Sequence, residues 1–421
     1  MVELNTLKEK PARGGIMESS NTWLEGVNVL DLTRYLAGPA CTRLLTELGA
    51  NVIKVEQPPY GDPNRSNRPR VNKRAGTHIQ QNRGKKSICM DINSDTGKQI
   101  ILELVEHVDI VVENFSPGVL DRKGLGYDNL SKINPEIVMA SVSGFGQTGP
   151  LSSLPCFDLI AQGYAGIMHM TGEPDRPPMF VGIGMGDTNA GVHAFAAIGH
   201  ALFHRERTGR GTHLDISMVD ALFHMHDMPV HASSMTNGEY VPMRQGTEFQ
   251  MLSPAGSFKG SEGWIIILCA EAQIQNLFEA IGKPELANDD RFIGNPARLK
   301  NRDDLTAIIE EWLQSFSDDE HAITVLQSHR VPCGPSLAPQ DALSHPHFLE
   351  RGTVRTVSDP LAGEVQVPGF PFKSSDPLPE DNHIAAALGE HNFEILNGLL
   401  GRSPESIDEL TQQGILFSKE H

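Results

Sequence analysis

Val27-Asn28-Val29-Leu30-Asp31-Leu32 leads through Thr33-Arg34-Tyr35-Leu36-Ala37-Gly38-Pro39 into Ala40–Leu48, and Asn51-Val52-Ile53-Lys54-Val55-Glu56 follows after Gly49-Ala50. Two short apolar, β-branched runs flank a segment with helical spacing. Gly49 stops that helix, and Pro58-Pro59 ends the second run. This is a β-α-β unit, and it predicts a parallel, Rossmann-like sheet. Gly38-Pro39 reads as the turn ahead of the helix. A strand-helix-strand that ends on an acid, here Glu56, also suggests a dinucleotide site. The first turn lacks GxGxxG, however, and the glycines at 182, 184 and 186 are spaced GxGxG, so an NAD site is not expected.

The alternation continues outward. Thr96–Glu106 reads as an amphipathic helix and Ile110-Val111-Val112 as a buried strand. Glu113–Gly118 is then a loop at a strand's C-terminal end, where open α/β sheets bind ligands. A strand over Ile137–Val142 and a helix over Asp158–Ile167 follow. From Trp264 to His329 a strand is followed by mostly helical sequence, which marks a second, smaller α+β domain. The expected organisation is a flexible N-terminal extension (1–21), the N-terminal part of a large domain (22–224), a small domain with its linkers (225–330), and a return to the large domain (331–421). A last amphipathic helix is expected over Ala385–Leu400.

No acidic residue occurs between Pro63 and Met90, whereas Arg65, Arg68, Arg70, Lys73, Arg74, Arg83, Lys85 and Lys86 all do. The segment is either a solvated basic loop or the donor set for a phosphate-bearing ligand. The whole chain of 421 residues carries a formal net charge of −18, which argues against nucleic-acid binding. No apolar run reaches the ~18 residues of a membrane span. The five cysteines, Cys41, Cys89, Cys156, Cys269 and Cys333, are scattered and form no CxxC. That pattern suits a reducing cytoplasm and gives neither a disulfide framework nor a zinc site. Asp220, His224, His226, Asp227 and His231 lie close together, but Pro229 should end any shared helix, and the ligand set is too incomplete to predict a metal.

Glycines at 182, 184, 186 and 191 surround one carboxylate, Asp187, ahead of an Ala-rich helix that ends at His204-Arg205. Asp187 has two readings. It is an N-cap, accepting the free N–H groups of the first turn, or it is a nucleophile, its ionised form favoured by the helix N-terminus and its glycines allowing close approach. Nothing local decides between them.

Several pieces, in this order and spacing, resemble the family III CoA-transferases, the group of formyl-CoA transferase and carnitine CoA-transferase. They are Val29–Leu32 with Ala37-Gly38-Pro39, Leu48–Glu56, Gly61-Asp62 with Arg65, Asn82 with Lys85–Ile88, and Val112–Gly118. Gly144-Phe145-Gly146, Gly186–Gly191 and Arg205–Gly211 complete the set. The resemblance implies a Rossmann-like large domain plus a smaller α+β domain in an interlocked homodimer, with acyl-CoA and a carboxylic acid as substrates and no cofactor beyond coenzyme A. It implies Asp187 as the nucleophile, with Asp158 and Gly186 in support; the glycine-rich composition around Asp187 adds the expectation that backbone N–H groups there serve as oxyanion donors. CoA contacts carry over to Leu36, Ala37, Gln57, Met90, Asn93, Asn114, Phe115, Ser116, Arg122, Pro155 and Phe157, with Arg65 as a phosphate partner. Gln57 stands where the family often has Arg. Leu36 stands where the oxalate-using branch has Gln, which points to a larger or less polar acid. The α-methylacyl-CoA racemases share the fold but place a histidine where this chain has Phe157, which cannot carry a proton. A non-catalytic CoA-binding protein is the remaining alternative.

Overall fold

The computed structural model describes residues 22–376, 378–379 and 384–419. The extension expected over residues 1–21 lies outside them. Six strands form the main sheet: β1 (Asn28–Asp31), β2 (Asn51–Glu56), β3 (Lys86–Cys89), β4 (Ile110–Glu113), β5 (Val138–Ser143) and β6 (Thr212–Ser217). Their order across the sheet is β3-β2-β1-β4-β5-β6. β1 runs parallel to β2 and β4, β2 to β3, and β4 to β5. β4 is buried along its whole length, as strands covered on both faces are, and this is why it reads as an unbroken apolar run. Leu30, Ile53, Ile88 and Val111 from the sheet pack with Ile100, Ile101 and Leu104 of the helix Asp95–Val105.

The chain divides into two compact units. The first comprises the chain up to Val142, Gly191–Asp215, and the chain from Thr356 on; the second comprises Ser143–Ala190 and Ile216–Arg355. The core of the second includes Phe258, Ile265, Ile267, Leu277, Phe278, Leu305 and Leu326. It lies between a three-stranded antiparallel sheet, with Trp264–Leu268 in the centre, and the helices Ile274–Ala280, Arg302–Leu313 and Asp319–Ser328.

Three expectations about local structure need correction, and one, the break at Pro229, holds. The first helix spans Ala37–Glu47, so Gly38-Pro39 lies inside its first turn, where a missing N–H costs nothing; the real turn is Thr33–Leu36. The helix from Asp158 ends at Tyr164, before Gly166 at φ +80°, and a short second helix occupies Ile167–Met170. No helix is shared across Pro229, as expected: one spans Met218–Phe223 and Pro229 opens another (Pro229–Met235), while His226 Nε2 lies 2.6 Å from the Ala165 carbonyl. The last expected helix shrinks to Asn392–Gly398, because Gly389 takes φ +71° with its N–H on Ser87 Oγ, and a Cβ there would meet the Phe417 carbonyl at 2.2 Å.

The basic segment fits neither of its readings over most of its length. Arg65 pairs with Glu56 (2.5 Å), Arg74 with Asp359 (2.7 Å), Arg83 with Glu47, Lys85 with Asp31 (3.0 Å) and Lys86 with Glu394 (2.7 Å). Arg74, Arg83 and Lys85 are buried, and Arg68, Arg70 and Lys73 remain exposed. The C-terminal segment also closes the outer edge of β3. The Ser87 N–H meets His391 Nδ1 (3.2 Å), the Cys89 N–H donates to Asn392 Oδ1 (2.9 Å), and the Phe417 N–H donates to the Cys89 carbonyl (3.0 Å). An edge covered in this way is protected from pairing with another chain.

Candidate active site

Parallel strands deliver their following loops to one edge of the sheet. With the order 3-2-1-4-5-6, the connections leave β1 and β4 in opposite directions, and a crevice opens between their loops. Within the first unit a cavity of about 580 Å³ lies there, lined by Thr33 and Arg34 after β1, Gln57 and Pro58 after β2, Ile92 and Asn93 after β3, and Phe115 after β4. Lys123 completes the lining.

The turn after β1 is held at every residue from Thr33 to Tyr35. Asp31 accepts the Thr33 N–H (2.8 Å), and Lys54 donates to the Thr33 carbonyl (2.8 Å). Asn114 accepts the Arg34 N–H (2.9 Å) and donates to the Arg34 carbonyl (2.8 Å). Asp62 accepts the Tyr35 N–H (3.2 Å), and Asn64 donates to the Tyr35 carbonyl. Tyr35 sits at φ +66°, a conformation that costs a non-glycine residue about 1–2 kcal/mol. Burial alone would raise the Asp31 carboxyl, but the Lys85 and Lys54 charges outweigh it and hold the group down at about 2. Glu56 is likewise held well below the usual carboxylate range, its burial offset by Arg65. Its oxygens also accept the Asp62 N–H and the Ser87 hydroxyl, so it faces inward and not toward a ribose.

Of the residues singled out for CoA, Gln57, Asn93 and Phe115 line this cavity. Gln57 Nε2 donates to Asp91 Oδ1 (2.8 Å), and Lys123 donates to Asn93 Oδ1. Asn114 spends its amide on Arg34. Ser116 and Arg122 are exposed on the loop and short helix that follow β4. Leu36 is half-buried, whereas Ala37 and Met90 are buried in the core. Arg65 is committed to Glu56 and to the Ala386 carbonyl (3.1 Å). In the second unit, Pro155 and Phe157 are exposed just ahead of the helix Asp158–Tyr164. Sequence reasoning missed Arg34 and Lys123. Arg34 was visible in the first βα turn, which drew notice only for its missing glycines; Lys123 gave no signal.

Asp187 lies in the first turn of the helix Met185–Thr208. The capping role belongs to another residue: Asp158 Oδ1 accepts the N–H groups of Gly186 (2.6 Å) and Asp187 (3.3 Å). Gln162, fully buried, steadies Asp158 by donating to Oδ2 (2.6 Å). A Cβ on Gly186 would stand 3.1 Å from Asp158 Oδ1, so the glycine makes room for this contact. Asp158 takes these N–H groups, so they are not open to an oxyanion. The Asp187 carboxylate itself makes no hydrogen bond among the described residues. Burial, and then the charge of Asp158, push it up to about 6. Burial likewise pushes all five cysteine thiols above their ordinary range, Cys156 near Asp187 to about 11, which makes them poor nucleophiles.

A reaction that needs ionised Asp187 should therefore lose kcat/KM about tenfold per pH unit below an inflection near pH 6. In Asp158→Asn the inflection should move to lower pH but stop short of the free carboxylate value, since burial is the larger cause. An unchanged inflection in that variant would assign the titration to another group.

Residues 24–392 match CoA-transferase family III. The chain is 39% identical over 353 residues to acetyl-CoA:oxalate CoA-transferase of Acetobacter aceti, spanning 83% of this chain and 89% of that protein. It is 36% identical over 399 residues to succinyl-CoA–D-citramalate CoA-transferase of Chloroflexus aurantiacus, spanning 93% and 98%. The crystal structure of a CAIB/BAIF family protein from Brucella suis superposes with a TM-score of 0.80 at 34% identity, over 90% of this chain and 100% of that one. The chain belongs to CoA-transferase family III. It is a CoA-transferase, an enzyme for which CoA is carried by substrate and product.

Proposed function

We propose that this chain exchanges CoA between a donor acyl-CoA and an acceptor carboxylic acid, with Asp187 as the covalent nucleophile. The observation that carries the reading is the division of labour at one helix start. Asp158 satisfies the N–H groups, the Asp187 carboxylate makes no hydrogen bond among the described residues, and burial and the Asp158 charge raise its pKa. A carboxylate stripped of partners is costly in the folded state and is a better nucleophile than a hydrogen-bonded one.

The steps balance without proton transfer. A carboxylate oxygen of Asp187 attacks the donor thioester carbon, the C–S bond breaks, and CoA thiolate leaves behind a mixed anhydride. The thiolate then attacks the aspartyl carbonyl, releasing the donor acid and leaving an aspartyl-CoA thioester. The acceptor carboxylate attacks that thioester, expels the thiolate and forms a second anhydride. Attack of the thiolate on the acceptor acyl carbon yields product acyl-CoA and free Asp187. One hard exchange becomes four easier covalent steps, and no metal or redox group takes part in them. Leu36 favours an acid larger or less polar than oxalate, in keeping with the relative named for D-citramalate. The reading also includes the interlocked homodimer and a cytoplasmic setting.

The test is intact and peptide mass measurement after incubation with a panel of acyl-CoA donors and trapping with hydroxylamine or borohydride. An adduct on Asp187, together with CoA transfer into an added acid, is expected. Exchange of an α-hydrogen with solvent, without an adduct, would replace this reading with racemisation despite Phe157. CoA binding with no turnover across the panel would leave only a binding protein.

A further inference from the structure

We infer that Arg34 holds the phosphate end of CoA in this chain and supplies the charge that Gln57 lacks; the inference rests on the function proposed above. Three observations carry it, all within the first unit.

The first is charge. Among the cavity's lining groups, Glu56 is neutralised by Arg65 and Asp62 by Lys54 at 2.9 Å. The Arg34 guanidinium has no carboxylate partner among the described residues, in a chain with a net charge of −18. Its neighbours are aromatic faces, with the Phe115 ring centroid 5.0 Å away and that of Tyr35 5.8 Å away. An exposed Arg held over rings and left without a counter-ion presents its donor fork to an incoming anion, and phosphate matches that fork in two-point geometry.

The second is pre-organisation. Tyr35, the next residue, is held at φ +66° by hydrogen bonds to both of its backbone polar groups, and Asn114 clamps both backbone groups of Arg34. Backbone strain of this kind persists where the surroundings over-determine it, and it clusters at ligand clamps. The turn also sits at the point where the strand order reverses. A binding group fixed beforehand loses less freedom when its ligand arrives.

The third is Gln57. It is neutral, and its amide is spent on Asp91, whose carboxylate is held below its ordinary value by that bond and by the Asn93 N–H. At that end the Lys123 charge faces the Asp91 carboxylate and is offset by it, whereas the Arg34 charge faces no carboxylate among the described residues. The anionic end of the ligand belongs on the Arg34 side.

The phosphate is either the 3′-phosphate of the adenosine or the diphosphate, and the test separates them. CoA and dephospho-CoA are titrated calorimetrically into the wild-type protein, Arg34→Gln and Arg34→Lys. Transfer kinetics are then followed with acyl-CoA and acyl-pantetheine as donors. Arg34→Gln should weaken CoA binding and raise the acyl-CoA KM about ten- to a hundredfold. Its kcat, and its kinetics with acyl-pantetheine, should stay at wild-type values, and Arg34→Lys should recover part of the loss. If dephospho-CoA binds wild type and Arg34→Gln equally, the contact is to the 3′-phosphate; an equal loss for both ligands assigns it to the diphosphate. The inference is overturned if Arg34→Gln binds CoA as tightly as wild type, or if acyl-pantetheine turnover falls in step with acyl-CoA turnover, which is the sign of a merely structural role. A wild-type protein that binds CoA without transferring it sinks the proposed function and leaves this inference to be judged on the binding data alone.

Discussion

Asp187→Asn is expected to reduce CoA transfer by at least about a thousandfold while CoA still binds. It should also make the protein more stable. In the folded state burial and Asp158 raise this carboxyl from its ordinary 3.8 to about 6. A raised carboxyl favours folding fully only below its unfolded value, and that contribution is lost as the pH rises through the folded value. Above pH 6 the ionised group therefore strains the fold; below about pH 4 it does not. With Asp187 partly exposed, the penalty is of order 1–2 kcal/mol. Urea midpoints at pH 7 and pH 4 check this. The variant should lead at pH 7 and lose its lead at pH 4. A variant that is less stable at pH 7 would mean that the carboxylate has a structural partner, and the nucleophile reading would lose its main support.

The second large effect concerns the core of the first unit. Glu47→Ala should lower stability by about 3–5 kcal/mol, because it strands Arg83 as a buried charge. Arg83 has no exposed surface, and it is paired with the carboxylate of Glu47, which is equally buried. It also donates to the carbonyls of Gln80 and Pro368 (2.9 Å), bonds that satisfy N–H groups but not charge. Replacing both partners with Met should cost far less, since the desolvation penalty disappears with the pair. Lys98→Ala, which breaks an exposed pair with Asp95, should change stability by less than about 1 kcal/mol. Urea unfolding of the four proteins tests the ranking; a Glu47→Ala protein no weaker than Lys98→Ala would refute it.

These cases also show where the sequence could be read and where it could not. β4 fell close to its expected span because a strand buried on both faces leaves a continuous apolar run, and β1 and β2 did so because β-branched and apolar residues still dominate around their buried charges. Pro39 misled because proline usually breaks structure, yet at the third helical residue there is no earlier carbonyl for its N–H to meet. The basic segment misled because its counter-charges are remote. Asp359, for instance, lies 285 positions beyond Arg74, and a local excess of cations cannot reveal a partner so far along the chain. The same blindness affected Asp187. A cap is normally sought at the helix start itself, whereas here it comes from Asp158, 28 positions before Gly186. In the cavity, Gln57, Asn93 and Phe115 follow strand ends and were accessible to a topological rule, while Ala37, Met90 and Arg65 turn inward to serve the core.

The closure of β3 by residues near the C-terminus has a consequence for biosynthesis. Ser87 and Cys89 wait for His391 and Asn392, some 300 positions later, and Arg74 waits for Asp359. While the ribosome is still adding the second unit, the nascent first unit holds an open strand edge and buried-to-be cations without their anions. Such long-range closure is slow, and the waiting chain is exposed to mispairing. Residues 391–417, made some 300 positions after β3, thus act as the latch of the first unit, and a ribosome that stalls before them would release a chain with its sheet edge unprotected.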